Sequence, residues 1–176
     1  MSKKCDNTSV GQLIYNKNSD LVLIERFNYP EAFALPAGHG DGMKLSDAAK
    51  KESEEEVGAL ILENKLVWNG KIDNPCKREG GDHHVWEVYQ AISWEGELKA
   101  GSDAKKFFWC SPEKLRQLAK RTGYFMNKYT IPYYYVGELT KAIFGDPVMK
   151  NTDSEWQKEM GLEPVWYFIL KQLKLL

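Results

Sequence analysis

Residues Gly38–Ala59 read GHGDGMKLSDAAKKESEEEVGA, and the fold turns on how this stretch is read. Gly38, Gly40 and Gly42 mark its opening as a loop. From Leu45 the pattern predicts a helix to Val57, with Gly58 suited to a left-handed position just past its end. Ser46 is chemically the better N-cap, with Lys44 as the alternative. Ala48, Ala49 and Leu45 form a small apolar face that allows close packing on a sheet. Glu52, Glu54, Glu55 and Glu56 crowd the last turns. At about 100° per residue, Glu52, Glu55 and Glu56 share one face, and Glu54 points elsewhere. Crowded carboxylates repel one another. A hard cation such as Mg²⁺ relieves that repulsion and prefers oxygen ligands. A solvated acidic face is the other reading of the same cluster.

Short apolar runs surround the stretch. Val10–Tyr15 and Leu21–Arg26 flank the turn-forming Asn16–Asp20 and predict a β-hairpin. Phe33–Leu35 reads as a third strand, stopped by Pro36. Leu60–Trp68, His83–Ile92 and Lys106–Cys110 read as strands, with a turn-rich loop over 69–82. Ser111-Pro112-Glu113 opens a helix expected to run to about Arg121, with Gly123 just past it. Beyond residue 123, helices are predicted from Pro132 to Phe144, from Asp153 to Met160 and from Pro164 onward. The last is apolar nearly all round, which predicts burial.

Composition narrows the classes. The chain has 176 residues, enough for one domain with an appendage and for a real core. With 43% apolar and 28% charged residues it has an ordinary globular balance. A net charge of −1 gives no field to recruit a nucleic-acid polymer or acidic lipid. Cys5, Cys76 and Cys110 are scattered, with no CxxC spacing, so neither a zinc knot nor a disulfide framework is expected. Free thiols fit a reducing compartment. MSKKCDNTSV lacks the apolar core of a secretory signal, and no run of about 18 apolar residues offers a membrane span. The expected location is the cytoplasm.

The strand, glycine loop, helix and acid cluster together resemble the Nudix hydrolase family. The family box reads G-x5-E-x7-R-E-U-x-E-E-x-G-U, with U a bulky apolar residue. Glu52, Glu55, Glu56 and Gly58 match its second half without gaps. Leu35-Pro36-Ala37-Gly38 is similar to the family's LPGG, and GMKLSDAAKKE to its GESxEEAAxRE. The loop is one residue shorter. Met43, Lys51 and Ser53 stand where the family has glutamate, arginine and an apolar residue. In the family that glutamate and arginine pair to brace the loop, so here the loop must be held in another way. The resemblance implies an α/β fold, a Nudix-like α/β/α sandwich with a mixed β-sheet, over residues 9–122. Residues 1–8 would be a polar tail and 123–176 a helical extension packed on the domain.

The resemblance also implies a reaction: Mg²⁺-dependent (or Mn²⁺-dependent) hydrolysis of the diphosphate in a nucleoside diphosphate linked to another moiety, such as a nucleotide sugar or ADP-ribose type compound. Glu52, Glu55, Glu56 and the main-chain carbonyl of Gly38 would hold the metal, and Glu52 or Glu56 could assist deprotonation of water. A Nudix-fold protein that binds nucleotides without turnover is the alternative. Family members often add a later acid, for which Asp103 is the positional candidate; it is equally a turn residue after Gly101-Ser102. Pro75 is similar in position to a proline of ADP-ribose-processing members. A homodimer is a family habit and the commonest oligomer.

Other residues have two readings each. Lys77 and Arg78 suit phosphate contacts or plain solvation. Trp86, Tyr89 and Trp109 suit base stacking or the core. Glu87 faces either the site or solvent. His83 and His84 fall on opposite faces of a strand and so cannot easily share one metal, which favours structural roles.

Overall fold

The computed structural model describes residues 4–102, 104–149 and 151–176. Its strands are β1 (Thr8–Leu13), β2 (Leu21–Arg26), β3 (Phe33–Ala34), β4 (Ala37–Gly38), β5 (Leu60–Ile72), β6 (His84–Glu95) and β7 (Ala104–Cys110). Its helices are α1 (Leu45–Val57), α2 (Pro112–Tyr129), α3 (Val136–Phe144), α4 (Ser154–Lys158) and α5 (Pro164–Gln172).

The strands form two sheets. A mixed sheet has the order β4-β1-β6-β5, with β1 parallel to β6 and the other pairs antiparallel. An antiparallel sheet has the order β3-β2-β7. The hairpin expected from β1 and β2 is therefore corrected. Its turn exists, closed by Asn16, whose side-chain oxygen accepts from the N–H groups of Asn18 and Asp20. Yet the two strands meet only at the Tyr15–Leu21 bridge and then part into different sheets. The reason lies in β2: Leu21, Val22, Leu23 and Ile24 are all buried, so both of its faces need cover and both of its edges need partners.

Helix α1 packs on the mixed sheet as its small face requires. Ala48 and Ala49 lie against Val10 and Tyr89. Its N-cap is Lys44, not Ser46, because the N–H groups of Asp47 and Ala48 already bond the Lys44 carbonyl. Gly58 caps the other end at φ 72°, as expected. Ser53, in a position where the family is apolar, is buried with its hydroxyl donating to the Ala49 carbonyl at 2.8 Å.

Helix α2 starts where the sequence predicts, with Ser111 accepting from the Lys114 N–H. It does not stop at Arg121. The buried stripe Leu115, Leu118, Ala119, Thr122 and Phe125 carries it through Gly123 to Tyr129. Burial of Phe125, worth about 1.5–3 kcal/mol, outweighs the roughly 1 kcal/mol that a mid-helix glycine costs. The turn Pro132–Tyr135 precedes α3, so Pro132 does not itself open the helix.

Residues of the C-terminal third complete the core of the sheets. Leu162, Val165, Trp166, Ile169 and Leu170 are buried together with residues of β1, β2 and β6. Phe33 and Leu162 form a parallel bridge, with the Phe33 N–H on Gly161 and the Glu163 N–H on Phe33. A second apolar cluster joins Phe125, Leu139, Ile143, Phe144 and Trp156 to Tyr29 and Ala32. Among the described residues, no helix is long and apolar enough to cross a membrane.

Candidate active site

The turn from β4 into α1 builds a pocket of about 510 Å³. Glu52, Glu55 and Glu56 all line it, with Gly38 and Asp41 from the glycine loop and Lys77 and Arg78 from the following loop. Each glutamate is seated differently. Glu56 is only 8% exposed, and its carboxylate accepts the Ala37 N–H at 2.9 Å. Because β4 is paired to β1, this bond fixes the carboxylate to the sheet. Glu52 lies on the backbone of Gly38, where an added Cβ would fall 2.1 Å from its carboxyl carbon. Burial pushes the Glu52 carboxyl above its usual range, Lys51 opposes the shift and Glu55 and Asp41 reinforce it. Glu55 is about half exposed and pairs with Lys51 at 2.9 Å, one helical turn away.

Gly38 is thus a glycine because of what stands over it. Gly38→Ala is expected to displace Glu52 and lower any activity housed in this pocket by about 10²-fold, the usual scale for misplacing a reacting group by about 1 Å. Thermal unfolding and activity, measured together, separate this from loss of fold.

The glycine loop has its own brace. Met43 is 43% exposed, and Lys51 is committed to Glu55. Instead, Arg78 grips Asp41 with two hydrogen bonds, at 2.5 and 3.3 Å. The Gly40 N–H donates to the Thr8 hydroxyl at 3.2 Å. A bidentate arginine–carboxylate pair combines direction with charge, which suits it to pin a loop. Arg78 therefore lines the pocket while already engaged.

The remaining sequence candidates divide. Trp86 is buried in the core, lies edge-on to Trp166 and also forms part of the pocket wall. Lys77 and Pro75 line the pocket too. Glu87 does not; it accepts the Tyr89 hydroxyl on the face covered by α1. Trp109 lies against Trp94, away from the pocket. Asp103 lies outside the described residues.

Tertiary structure brings in residues that spacing did not mark. Glu163, the residue before α5, reaches the same pocket with Arg26 at 3.6 Å. Burial pushes its carboxyl up, and Arg26 only partly offsets this. Two of the cysteines that are scattered along the sequence meet in space. Cys5 and Cys76 converge with His39 and His84, their ligand atoms all within 4.8 Å of one another. Burial, with His39 and His83 nearby, pushes the His84 imidazole down to about 4. Among the described residues this is the one group of three or more such side chains so gathered; the three glutamates face one pocket without closing into a cage. Sequence order hid the group, since its members come from the N-terminal segment, the glycine loop, the 73–82 loop and β6.

Comparisons with known proteins agree with this architecture. The family model described as NUDIX domain matches residues 6–131. Similar solved structures include a MutT NUDIX hydrolase from Burkholderia pseudomallei, 23% identical, covering 61% of this chain and 84% of that one, with a TM-score of 0.51. Another is the NUDIX domain of NrtR from Shewanella oneidensis in complex with ADP ribose, 13% identical, covering 66% and 79%, at 0.52. A MutT protein from Methanosarcina mazei Go1 is 18% identical, covering 80% and 94%, at 0.51. At such identities the likeness establishes the fold. No curated protein matches the chain.

Proposed function

The chain belongs to the Nudix family, and from that membership we propose that it hydrolyses the diphosphate of a nucleoside diphosphate linked to another moiety, with Mg²⁺ or Mn²⁺ as cofactor. The observation that carries the proposal is the placement of Glu52, Glu55 and Glu56 on one pocket beside the Gly38 backbone. Their chemistry fits the cation: carboxylate and carbonyl oxygens are hard donors, and an open pocket leaves space for water and phosphate. Bound there, the metal would neutralise diphosphate oxygens and lower the pKa of an attacking water.

The protein's own residues divide the remaining work. Glu56 is held rigid by the Ala37 N–H and Glu52 by its seat on Gly38, so the negative charge is placed before substrate arrives. Lys77 puts a cationic group on the 73–82 loop at the pocket, suited to substrate phosphates, while Arg78 beside it stays on Asp41 and holds the glycine loop. Trp86 presents an aromatic wall to the rest of the substrate. Glu163, paired with Arg26, adds to the pocket wall a carboxylate that is not one of the three proposed to hold the cation. Cysteines without a disulfide fit a cytoplasmic site of action.

The reading is tested with the purified chain and a panel of nucleoside diphosphate derivatives, ADP-ribose and nucleotide sugars included, in Mg²⁺ or Mn²⁺. Metal-dependent cleavage of at least one member is expected. No turnover across the panel, with ligands bound unchanged, would instead favour a nucleotide-binding protein without catalysis.

A further inference from the structure

We propose that Cys5, His39, Cys76 and His84 form a structural Cys₂His₂ site for one Zn²⁺, separate from the glutamate cluster. The distances fit. The Cys5 sulfur lies 3.6 Å from His39 Nε2 and 3.3 Å from His84 Nε2, and the Cys76 sulfur lies 3.3 Å from His39 Nε2. A tetrahedral zinc with bonds of about 2.3 Å to sulfur and about 2.0 Å to nitrogen places such donor pairs about 3.5 Å apart. A thiol–imidazole hydrogen bond accounts for any one of these pairs. It does not account for four donor atoms gathered within 4.8 Å of one another.

The surroundings prepare each donor. The Cys5 sulfur accepts the Asn7 N–H at 3.4 Å, and the Cys76 sulfur accepts the Arg78 N–H at 3.2 Å. Both bonds come from the residue two positions on, and each fixes the position of its sulfur against the local backbone. The His84 tautomer follows from Asn74. Its side-chain oxygen accepts from Trp86 Nε1, an atom that can only donate, at 3.3 Å. The same oxygen lies 3.1 Å from His84 Nδ1, which must therefore carry the proton. His84 Nε2 is left with its lone pair directed at the cluster. A histidine oriented through its other nitrogen is the usual support for a metal ligand. Gly81 lets the loop close: a Cβ there would lie 2.4 Å from Cys76 Cβ and 3.0 Å from the Cys5 sulfur.

Four protein donors leave no open position, which marks a structural rather than a catalytic zinc. Two thiolates balance the dication, and the two thiol protons are released on binding. The site also answers how the divergent glycine loop is held. His39 follows Gly38, and Cys76 precedes the Arg78 that grips Asp41. One ion would join the N-terminal segment, the glycine loop and the 73–82 loop at the wall of the pocket.

The full chain, expressed with added zinc and purified under reducing conditions without chelator or a histidine tag, is expected to carry about one zinc per chain by plasma mass spectrometry. Cys5→Ser combined with Cys76→Ser should lose at least about nine-tenths of it, whereas Glu56→Gln should keep it all. Since the double variant could misfold, chelator-stripped wild-type chain is also titrated with Co²⁺ alone. Thiolate-to-cobalt charge transfer and intense tetrahedral d–d bands should saturate near one equivalent. Wild-type protein with neither zinc nor a thiolate–cobalt band overturns the proposal. So does undiminished zinc in the double variant, zinc lost in Glu56→Gln, or a Cys5–Cys76 disulfide under reducing conditions. None of these readouts depends on hydrolysis, so the site and the proposed activity stand or fall separately.

Discussion

Glu56→Gln is expected to lower kcat/KM for diphosphate hydrolysis by about 10³-fold while leaving the fold intact. Glutamine keeps the size of the side chain and retains an oxygen able to accept the Ala37 N–H. What it loses is the charge that a divalent ion requires. Metal stabilisation of transition-state charge is worth several kcal/mol, and about 4 kcal/mol corresponds to roughly 10³ in rate. Glu52→Gln should behave similarly, because Glu52 occupies the seat on Gly38. Glu55→Gln should cost less, since Glu55 is half exposed and shares its charge with Lys51. Glu54 is exposed on another face and provides the control: Glu54→Gln should stay near wild type. The series is read at saturating Mg²⁺, with urea unfolding in parallel. Retention of more than about a tenth of the activity in Glu56→Gln would remove this glutamate from the mechanism.

Trp166→Ala is expected to destabilise the chain by about 3–5 kcal/mol, the cost of truncating a fully buried tryptophan. Trp166 has no exposed surface and stacks edge-on with Trp86 at 5.8 Å. Its ring covers Gly11 so closely that an added Cβ would fall 2.3 Å from it. A loss of that size is a large share of the 5–15 kcal/mol by which domains are usually stable. Trp166→Phe should be far milder. It keeps much of the ring, and it removes an indole N–H that is buried with no partner among the described residues. Urea midpoints of the two variants decide the matter. If Trp166→Ala cost less than about 1 kcal/mol, α5 would not be part of the main core.

The segments read correctly from sequence are those whose own pattern suffices to mark them. Helix α1 runs Leu45–Val57 as predicted, because its glutamates, its small face and Gly58 sit within a few turns of one another. The three pocket glutamates were legible for the same reason. Where the reading failed, a distant partner had intervened. Strand β2 left its expected hairpin because β7 and β3 cover its edges. Helix α2 passed Gly123 because Phe125 finds a core made by α3 and α4. Ser53 is tolerated inside because the helix itself satisfies its hydroxyl.

Sequence alone determined the family, the α/β class and the three carboxylates aimed in one direction, since helical periodicity is a local property. Tertiary structure alone decided how the shortened glycine loop is held. Arg78 reaches Asp41 across 37 positions, and Cys5 meets His84 across 79. Glu163 joins Arg26 of β2 at the pocket because the segment before α5 packs against the sheets. The physical reason is the same in each case. Spacing along a chain encodes which side chains share a face of one element, but contacts between elements arise from packing, which no short stretch records.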